Sequence, residues 1–299
     1  MYSVRPRNIE LSRSSSRLAL TAVYLVLLMA CGPNQDPDRL TLGGPFEFTS
    51  QDPARDGFLY TRMQVAETLV DVDEEGTLLP GLATGWEVSS DATEWAFTLR
   101  RGVHFHDGTA MDAETVAHSL RKARNKPGVI TNTPIAEIQV TGSHEVTIIV
   151  ERPYRLLPAV LAHFSSAILS PNSFTEEAQV PWMFGTGPYQ VTFFDPPHRI
   201  EVTRFDDYWG ERAHIDNAVY LTGHRAESRA LQVMAEQTDI IYTLDPASLD
   251  LLSRQDHVRV FSDSIPRTVQ IKLNAGHPFM ADPEARRAMS LALDRTGIV

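Results

Sequence analysis

Few residues of this 299-residue chain have types and spacings that could support chemistry. His104 and His106 lie two positions apart on an expected strand, so both rings point to one face, and Asp107 follows directly. These three residues could chelate a metal ion, but they equally suit the exposed end of a strand, which we expect here. The acidic run 73–75 lies in a polar turn, where we expect it to be solvated and not catalytic.

The motifs that mark many enzymes are absent from the sequence. It contains no G-x-x-x-x-G-K-[ST] phosphate loop, no G-x-G-x-x-G, no G-x-S-x-G, no H-E-x-x-H and no C-x-x-C. We therefore expect a protein that is not an enzyme and that needs no cofactor and no metal. A hydrolytic triad whose members are dispersed along the sequence is the alternative that motif searching leaves open.

Composition and charge narrow the classes of partner. The chain is 42% hydrophobic, as is usual for a soluble globular protein, and its formal net charge is −11. Binding to nucleic acid requires clustered Lys and Arg side chains to neutralise phosphates. No such cluster occurs beyond the amino terminus. We therefore expect no nucleic-acid partner.

The amino-terminal residues have the pattern of an export signal. Arg5, Arg7, Arg13 and Arg17 precede an apolar run over 18–30. As a helix, this run is about 20 Å long, which is short for a bilayer core of about 30 Å. A basic segment followed by a short apolar segment is typical of a secretory signal peptide. We expect residues 1–30 to be a signal peptide, with a transmembrane anchor as the weaker interpretation.

Cys31 follows this run directly and is the only cysteine of the chain. The stretch 28–31, Leu-Met-Ala-Cys, resembles a bacterial lipobox, in which the small Ala30 precedes the cleavage site and the Cys31 thiol accepts diacylglycerol. Met29 is bulkier than the residue usual at its position. We expect lipidation of Cys31 and a flexible tether over 31–39, and the alternative is a chance cysteine after an ordinary signal.

Strands and helices alternate irregularly in the rest of the chain. Apolar and polar residues alternate over 95–99, which predicts a half-buried strand, and Gly108 suits a turn. Asp112 is a predicted N-cap of a helix that continues to about Lys122. Further strands are predicted over 146–150, 189–194, 198–204, 239–242 and 268–274, and further helices over 228–236 and 246–254. The pattern indicates a mixed α/β (α+β) fold with more than one sheet.

A last helix is predicted from a local start signal. Asp282, Pro283 and Glu284 supply an N-cap, an N1 proline and a first-turn acid. Its apolar stripe consists of Ala285, Ala288, Met289, Ala292 and Leu293. The printed chain stops shortly after this stripe, at Val299. We expect the sequence to be a fragment in which Met289 and Leu293 are unusually exposed.

Five stretches together resemble one protein family. EGTLLPGLATGWEV at 75–88 leads into WAFTLRRGVHFHDG at 95–108, GTGPY at 185–189 precedes YWG at 208–210, and RAMSLALDR occupies 287–295. In this order and at these separations they resemble the large solute-binding proteins of peptide and nickel ABC importers, family 5. The resemblance extends over residues 40–299. Most of these residues are expected to determine the fold and not to contact ligand.

The resemblance implies a two-lobed, periplasmic-binding-protein type II-like architecture that closes on its ligand by a hinge. Residues 40–263 would form lobe I with a subdomain over 67–181, and 264–299 would begin a second lobe that is mostly missing. The implied function is capture of short peptides, such as dipeptides or oligopeptides, for ABC permease subunits in the membrane. The protein would be exported and held at the periplasmic or cell surface by its lipid. The implied ligand-facing residues are Asp52, Tyr60, Thr61, Trp182, Phe184 and Thr186.

The same sequence features are compatible with several alternative ligands and functions. The ligand could be a nickel chelate, an opine or a sugar-derived molecule. An exported sensor or chaperone that never transports, and an exported enzyme on the same scaffold, are the alternatives of a different class. One departure from the family pattern concerns residues 236–239, because Glu236 stands where a glycine usually ends the preceding helix.

Overall fold

The computed structural model describes residues 38–177, 179–262 and 270–294, together with Gly297. Cys31 and the expected signal peptide therefore lie outside the described residues. The chain divides into two compact units, with the boundary between Arg259 and Val260. Within the described ranges, no helix has the length and apolar character needed to cross a membrane.

Eleven strands and seven α-helices are present among the described residues. The strands are β1 (Arg39–Gly44), β2 (Val70–Val72), β3 (Leu78–Pro80), β4 (Ala83–Val88), β5 (Glu94–Leu99), β6 (Ile135–Gly142), β7 (Glu145–Val150), β8 (Tyr189–Asp195), β9 (Arg199–Arg204), β10 (Asn217–Thr222) and β11 (Ile240–Ile241). The helices are α1 (Pro53–Arg62), α2 (Ala113–Arg124), α3 (Leu157–Leu161), α4 (Ala226–Met234), α5 (Pro246–Ser253), α6 (Pro278–Ala281) and α7 (Pro283–Ala292).

A five-stranded mixed sheet forms the first layer, in the order β11-β1-β10-β9-β8. β1 runs parallel to β10 and to β11, while β8 and β10 each run antiparallel to β9. The strands predicted over 189–194 and 198–204 are confirmed as β8 and β9, which pair as a hairpin across a turn at 196–198. Buried aromatic and aliphatic side chains, among them Phe48, Tyr60 and Tyr220, form one core with this sheet.

A four-stranded antiparallel sheet, β4-β5-β7-β6, has a separate core. Trp95, Phe97 and Leu99 of β5 are buried, as their alternation predicts. Helix α2 packs on β6 and β7, and its predicted start is confirmed. Asp112 Oδ1 accepts from the Thr115 backbone N–H at 2.9 Å, and Thr115 Oγ1 accepts from the Asp112 N–H at 2.9 Å. This capping box satisfies two N–H groups that a helix start leaves unpaired.

Two predictions of secondary structure need correction. The strand predicted over 239–242 is reduced to the two residues of β11, and the described part of the strand predicted over 268–274 lies in no strand.

Helix α4 ends at Met234, and Glu236 then adopts a φ of 54°. The backbone therefore takes the left-handed conformation at this helix end although no glycine is present, because the chain must turn into β11.

The second unit contains helices α6 and α7, which pack on each other. Asp282 caps α7 by accepting from the Glu284 N–H at 2.9 Å, as predicted. None of the described residues of α7 is buried. Met289 and Leu293 are each 38% exposed, which agrees with the exposure expected for the apolar stripe.

Candidate functional site

A cavity of about 640 Å³ lies within the first unit. Its volume falls within the range of small-molecule sites in proteins. The cavity is lined by Thr61, Gln64, Ala66, Glu67, Thr68, Asp71, Val72, Gly81, Ala162, His163, Phe164, Pro188, Tyr208 and Glu211. These residues come from the end of α1, from β2, from the turn after α3 and from the loops that flank β8 and β9. Residues distant in sequence therefore form its walls.

The carboxylate of Glu67 is the centre of the hydrogen-bond network beside this cavity. Thr186 Oγ1 donates to Glu67 Oε2 at 2.7 Å, and Trp209 Nε1 donates to the same oxygen at 3.0 Å. Tyr208 donates its hydroxyl to Glu67 Oε1 at 2.9 Å. Three side-chain donors from two separate loops thus converge on one carboxylate. The network joins the segment after α1 to the loops before β8 and after β9.

Arg100 supplies a positive charge beside this network. Its guanidinium lies 4.1 Å from the centroid of the Trp209 ring, which is the geometry of a cation–π contact. The guanidinium also donates to the Gly81 carbonyl, at 3.2 Å from Nη2. Through its charge, Arg100 lowers the pKa of Glu67 and so offsets part of the effect of burial.

Burial and neighbouring charges shift the acid–base behaviour of two groups here. Burial raises the pKa of Glu67 above its ordinary value, because removal from water disfavours the charged form, although the three hydrogen bonds oppose this rise. Burial is the main cause that raises the pKa of the Tyr208 hydroxyl, and the negative charge of Glu67 raises it further. Asp71 contributes to the same rise, so its carboxylate is electrostatically close to Tyr208. Tyr208 therefore remains a neutral hydrogen-bond donor at physiological pH.

Two of the six predicted ligand-facing residues belong to this region. Thr61 lines the cavity, with its Oγ1 donating to backbone carbonyls of its own helix at 3.2 Å. Thr186 is fully buried and is occupied by its hydrogen bond to Glu67. Sequence reasoning missed Glu67 itself. The only local signal was a single acid within the otherwise apolar stretch 65–70, apart from Thr68.

The other four predicted residues lie outside the cavity lining. Asp52 caps α1 by accepting from the Ala54 N–H at 3.0 Å and forms a 2.7 Å ion pair with Lys126. Tyr60 is fully buried, and its hydroxyl donates to the Ser50 carbonyl at 2.6 Å. Burial raises the pKa of Tyr60. In this structure, Asp52 and Tyr60 therefore have structural partners of their own.

Trp182 and Phe184 lie on a loop that is firmly held. Trp182 is 36% exposed, whereas Phe184 is half-buried. Gln51 accepts from the Met183 N–H at 2.9 Å, and Ser173 Oγ accepts from the Phe184 N–H at 2.9 Å. The loop thus presents one large aromatic side chain to solvent on a fixed backbone.

The structure separates the residues of the metal-type trio. His104 is exposed and pairs with Ala110 in an isolated bridge. The His106 ring is largely buried, and its Nε2 donates to the Gly187 carbonyl at 2.9 Å. Burial lowers the pKa of His106 to about 4, so the ring is neutral at physiological pH. Among the described residues, no group of three or more His, Cys, Asp or Glu side chains could hold a metal ion.

Comparison with known proteins assigns the chain to a family. The family model for bacterial extracellular solute-binding proteins, family 5 Middle, matches residues 77–299. The chain belongs to this family. The match includes all five sequence stretches on which the resemblance rests, apart from the first two residues of the earliest stretch. The mixed α/β class predicted from the sequence is confirmed by the structure and by its structural neighbours.

Family members with different named ligands are similar to the chain. It is 24% identical over 238 residues to the glutathione-binding protein GsiB of Salmonella paratyphi A, covering 77% of this chain and 46% of that protein. It is 24% identical over 250 residues to a dipeptide-binding protein of Escherichia coli, covering 74% and 47%. The crystal structure of a nickel ABC transporter protein from Bacillus halodurans superposes with a TM-score of 0.72 at 30% identity, covering 87% and 55%. The chain thus spans about half the length of the proteins it matches.

Proposed function

We propose that this chain belongs to an exported substrate-binding protein of an ABC importer and that its ligands are short peptides. The match to the family 5 model over residues 77–299 carries this proposal. The similarity to a dipeptide-binding protein supports the choice of peptides among the ligand classes of the family. Binding without turnover, delivery to permease subunits and a location outside the cytoplasm are all parts of the proposal.

The loop around Trp182 supports a peptide-binding surface. Its backbone is fixed by side-chain acceptors from Gln51 and Ser173, so ligand contact costs little ordering of the loop. The exposed Trp182 ring supplies apolar area that can contact different peptide side chains. The nearby Asp52 carboxylate is held by Lys126 and by the α1 backbone. A rigid aromatic surface of this kind suits a receptor that accepts several sequences.

We expect Trp182→Ala to weaken peptide affinity at least tenfold and to leave the melting temperature of the unliganded protein nearly unchanged. The ring is partly exposed, so its removal takes away contact area for ligand but little core packing. Titration calorimetry of the full-length protein against a dipeptide library, beside thermal unfolding, measures both quantities.

Phe193→Ala is the matched control, because Phe193 is an aromatic residue of β8 with 44% exposure and lies outside this loop. It should leave peptide affinity unchanged. Unchanged affinity of Trp182→Ala together with a large loss of stability would show that Trp182 is core. Binding of a nickel–histidine complex but of no peptide would overturn the peptide assignment in favour of a nickel ligand. The similarity to the Bacillus halodurans protein is the reason for testing this alternative.

We propose further that Cys31 carries the lipid that holds the protein at the membrane. Cys31→Ser should release the protein into the soluble fraction and abolish incorporation of a radiolabelled fatty acid, because a serine hydroxyl does not replace the thiol in diacylglyceryl transfer. The control is Ser14→Ala, within the basic segment, which should change neither readout. Membrane retention and labelling that persist in Cys31→Ser would contradict lipidation.

A further inference from the structure

The cavity of about 640 Å³ has a lining that favours one kind of ligand. Its charged residues are Glu67, Asp71 and Glu211, and none of the described lining residues is Lys or Arg. Burial lowers the pKa of His163, so its ring adds no positive charge at neutral pH. Arg100 lies close to Glu67 and offsets that charge. Two exposed carboxylates, Asp71 and Glu211, remain without an ion pair among the described residues.

Aromatic side chains stand beside these carboxylates. The rings of His163 and Phe164 lie together, with centroids 4.0 Å apart, and Tyr208 forms another part of the lining. Aromatic faces attract cations that have lost part of their hydration, above all organic ammonium groups. Carboxylates and aromatic rings in one cavity therefore both favour an organic cation, by different physical means.

A metal ion suits this cavity less well. Metal coordination needs several ligand atoms within a short distance of one point. The described acidic and histidine side chains come together nowhere in a group of three or more that could hold an ion. Two carboxylates in the lining of a cavity of this size match instead a molecule with more than one ammonium group.

We propose that this cavity is a binding site for a small aliphatic polyamine, distinct from the peptide-binding surface around Trp182. The ammonium groups pair with Asp71 and Glu211, and the alkyl chain lies along the Phe164 and Tyr208 rings. Asp71 lies on β2, whereas Glu211 follows β9, so the ligand links two parts of the first unit.

Spermidine is the probe for this site, with titration calorimetry of the full-length protein at low and at high salt. We expect saturable binding that weakens several-fold between 50 and 300 mM NaCl, because salt screens contacts between exposed charges. The double substitution Asp71→Asn with Glu211→Gln should lower the affinity at least tenfold. Triethylene glycol, a neutral chain of similar length, should not bind.

The matched control is the double substitution Glu87→Gln with Glu94→Gln, which makes the same change in net charge on exposed residues of β4 and β5. It should leave spermidine affinity within about twofold of the wild-type value. The proposal would be overturned if both double variants lost spermidine affinity equally, or if spermidine did not bind at all. It would also be overturned if magnesium ions alone bound with the same affinity as spermidine. Because Trp182 is unaltered in these variants, the loss of spermidine binding does not test the proposal that peptides bind at the loop around Trp182.

Discussion

Gly187→Ala should lower the free energy of unfolding by more than about 3 kcal/mol, a large share of the stability of a typical domain. A Cβ at this position would lie 2.1 Å from the Gln64 carbonyl oxygen and 2.8 Å from its carbonyl carbon. These are backbone atoms, which no rotamer change can move. The substitution therefore forces the bend at 185–188 away from the segment that follows α1.

That bend cannot move without loss of hydrogen bonds. The Gly187 N–H donates to the Val65 carbonyl at 3.2 Å, and the Tyr189 N–H donates to the Gln64 carbonyl at 3.3 Å. His106 Nε2 donates to the Gly187 carbonyl at 2.9 Å. A shift large enough to admit the methyl group would weaken all three, and buried polar groups left without partners are costly. The packing and hydrogen-bond effects thus act in the same direction.

Gly85→Ala is the matched control for this prediction. A Cβ at Gly85 would meet no atom within 4 Å, and its φ is outside the left-handed region. We expect the free energy of unfolding to change by less than about 1 kcal/mol, since the substitution at such a site alters only the conformational freedom of the unfolded chain. Urea unfolding followed by near-ultraviolet circular dichroism measures both variants. Equal destabilisation of the two would show that close backbone approach at 187 is not the cause.

Local patterns in the sequence were sufficient for the elements whose signals lie within a few residues. The start of α2 depends on contacts between Asp112 and Thr115, three positions apart, and β5 depends on alternation along one strand. Apolar and polar residues alternate in the strand predicted over 268–274, but the sequence does not indicate which strand would pair with it. Pairing decides whether such a segment becomes a strand, and its described part is unpaired.

The candidate site shows where single-sequence reasoning fails. The donors to Glu67 come from positions 186, 208 and 209, so no periodicity connects them. The resemblance implies that Thr186 faces the ligand and includes YWG at 208–210, but it does not reveal the common partner of Thr186, Tyr208 and Trp209. The same holds for the cavity, because its walls come from segments between positions 61 and 211 that meet only in the folded chain.

Glu67→Leu should destabilise the protein by more than about 3 kcal/mol at pH 7. The substitution removes the common acceptor of Thr186, which is fully buried, and of Tyr208 and Trp209, which are partly buried. A buried donor left unpaired costs about 1–3 kcal/mol. Glu67→Gln keeps the shape and one acceptor oxygen, so it should cost less. Guanidinium unfolding at pH 7 distinguishes the two variants. Equal stability of Glu67→Leu and wild type would contradict a structural role for the network.

The pH dependence of stability gives a second measure of the same carboxylate. The pKa of Glu67 is raised in the folded protein above its ordinary value of 4.5. The folded state therefore holds this proton to a higher pH than the unfolded state, and the stability that protonated Glu67 contributes is lost as pH rises from about 4.5 through the folded pKa. Glu67→Gln cannot titrate, so its unfolding free energy should fall less than that of wild type over this window.

Thermal and denaturant unfolding at several pH values from 4.5 to 8 test this expectation. The exposed substitution Glu87→Gln controls for the change in net charge and should retain the wild-type slope. If the difference in unfolding free energy between wild type and Glu67→Gln stays constant with pH, the folded and unfolded pKa values of Glu67 are equal. A difference that changes in the opposite direction would mean that the hydrogen bonds and Arg100 outweigh burial, so that Glu67 is held as a stabilised carboxylate.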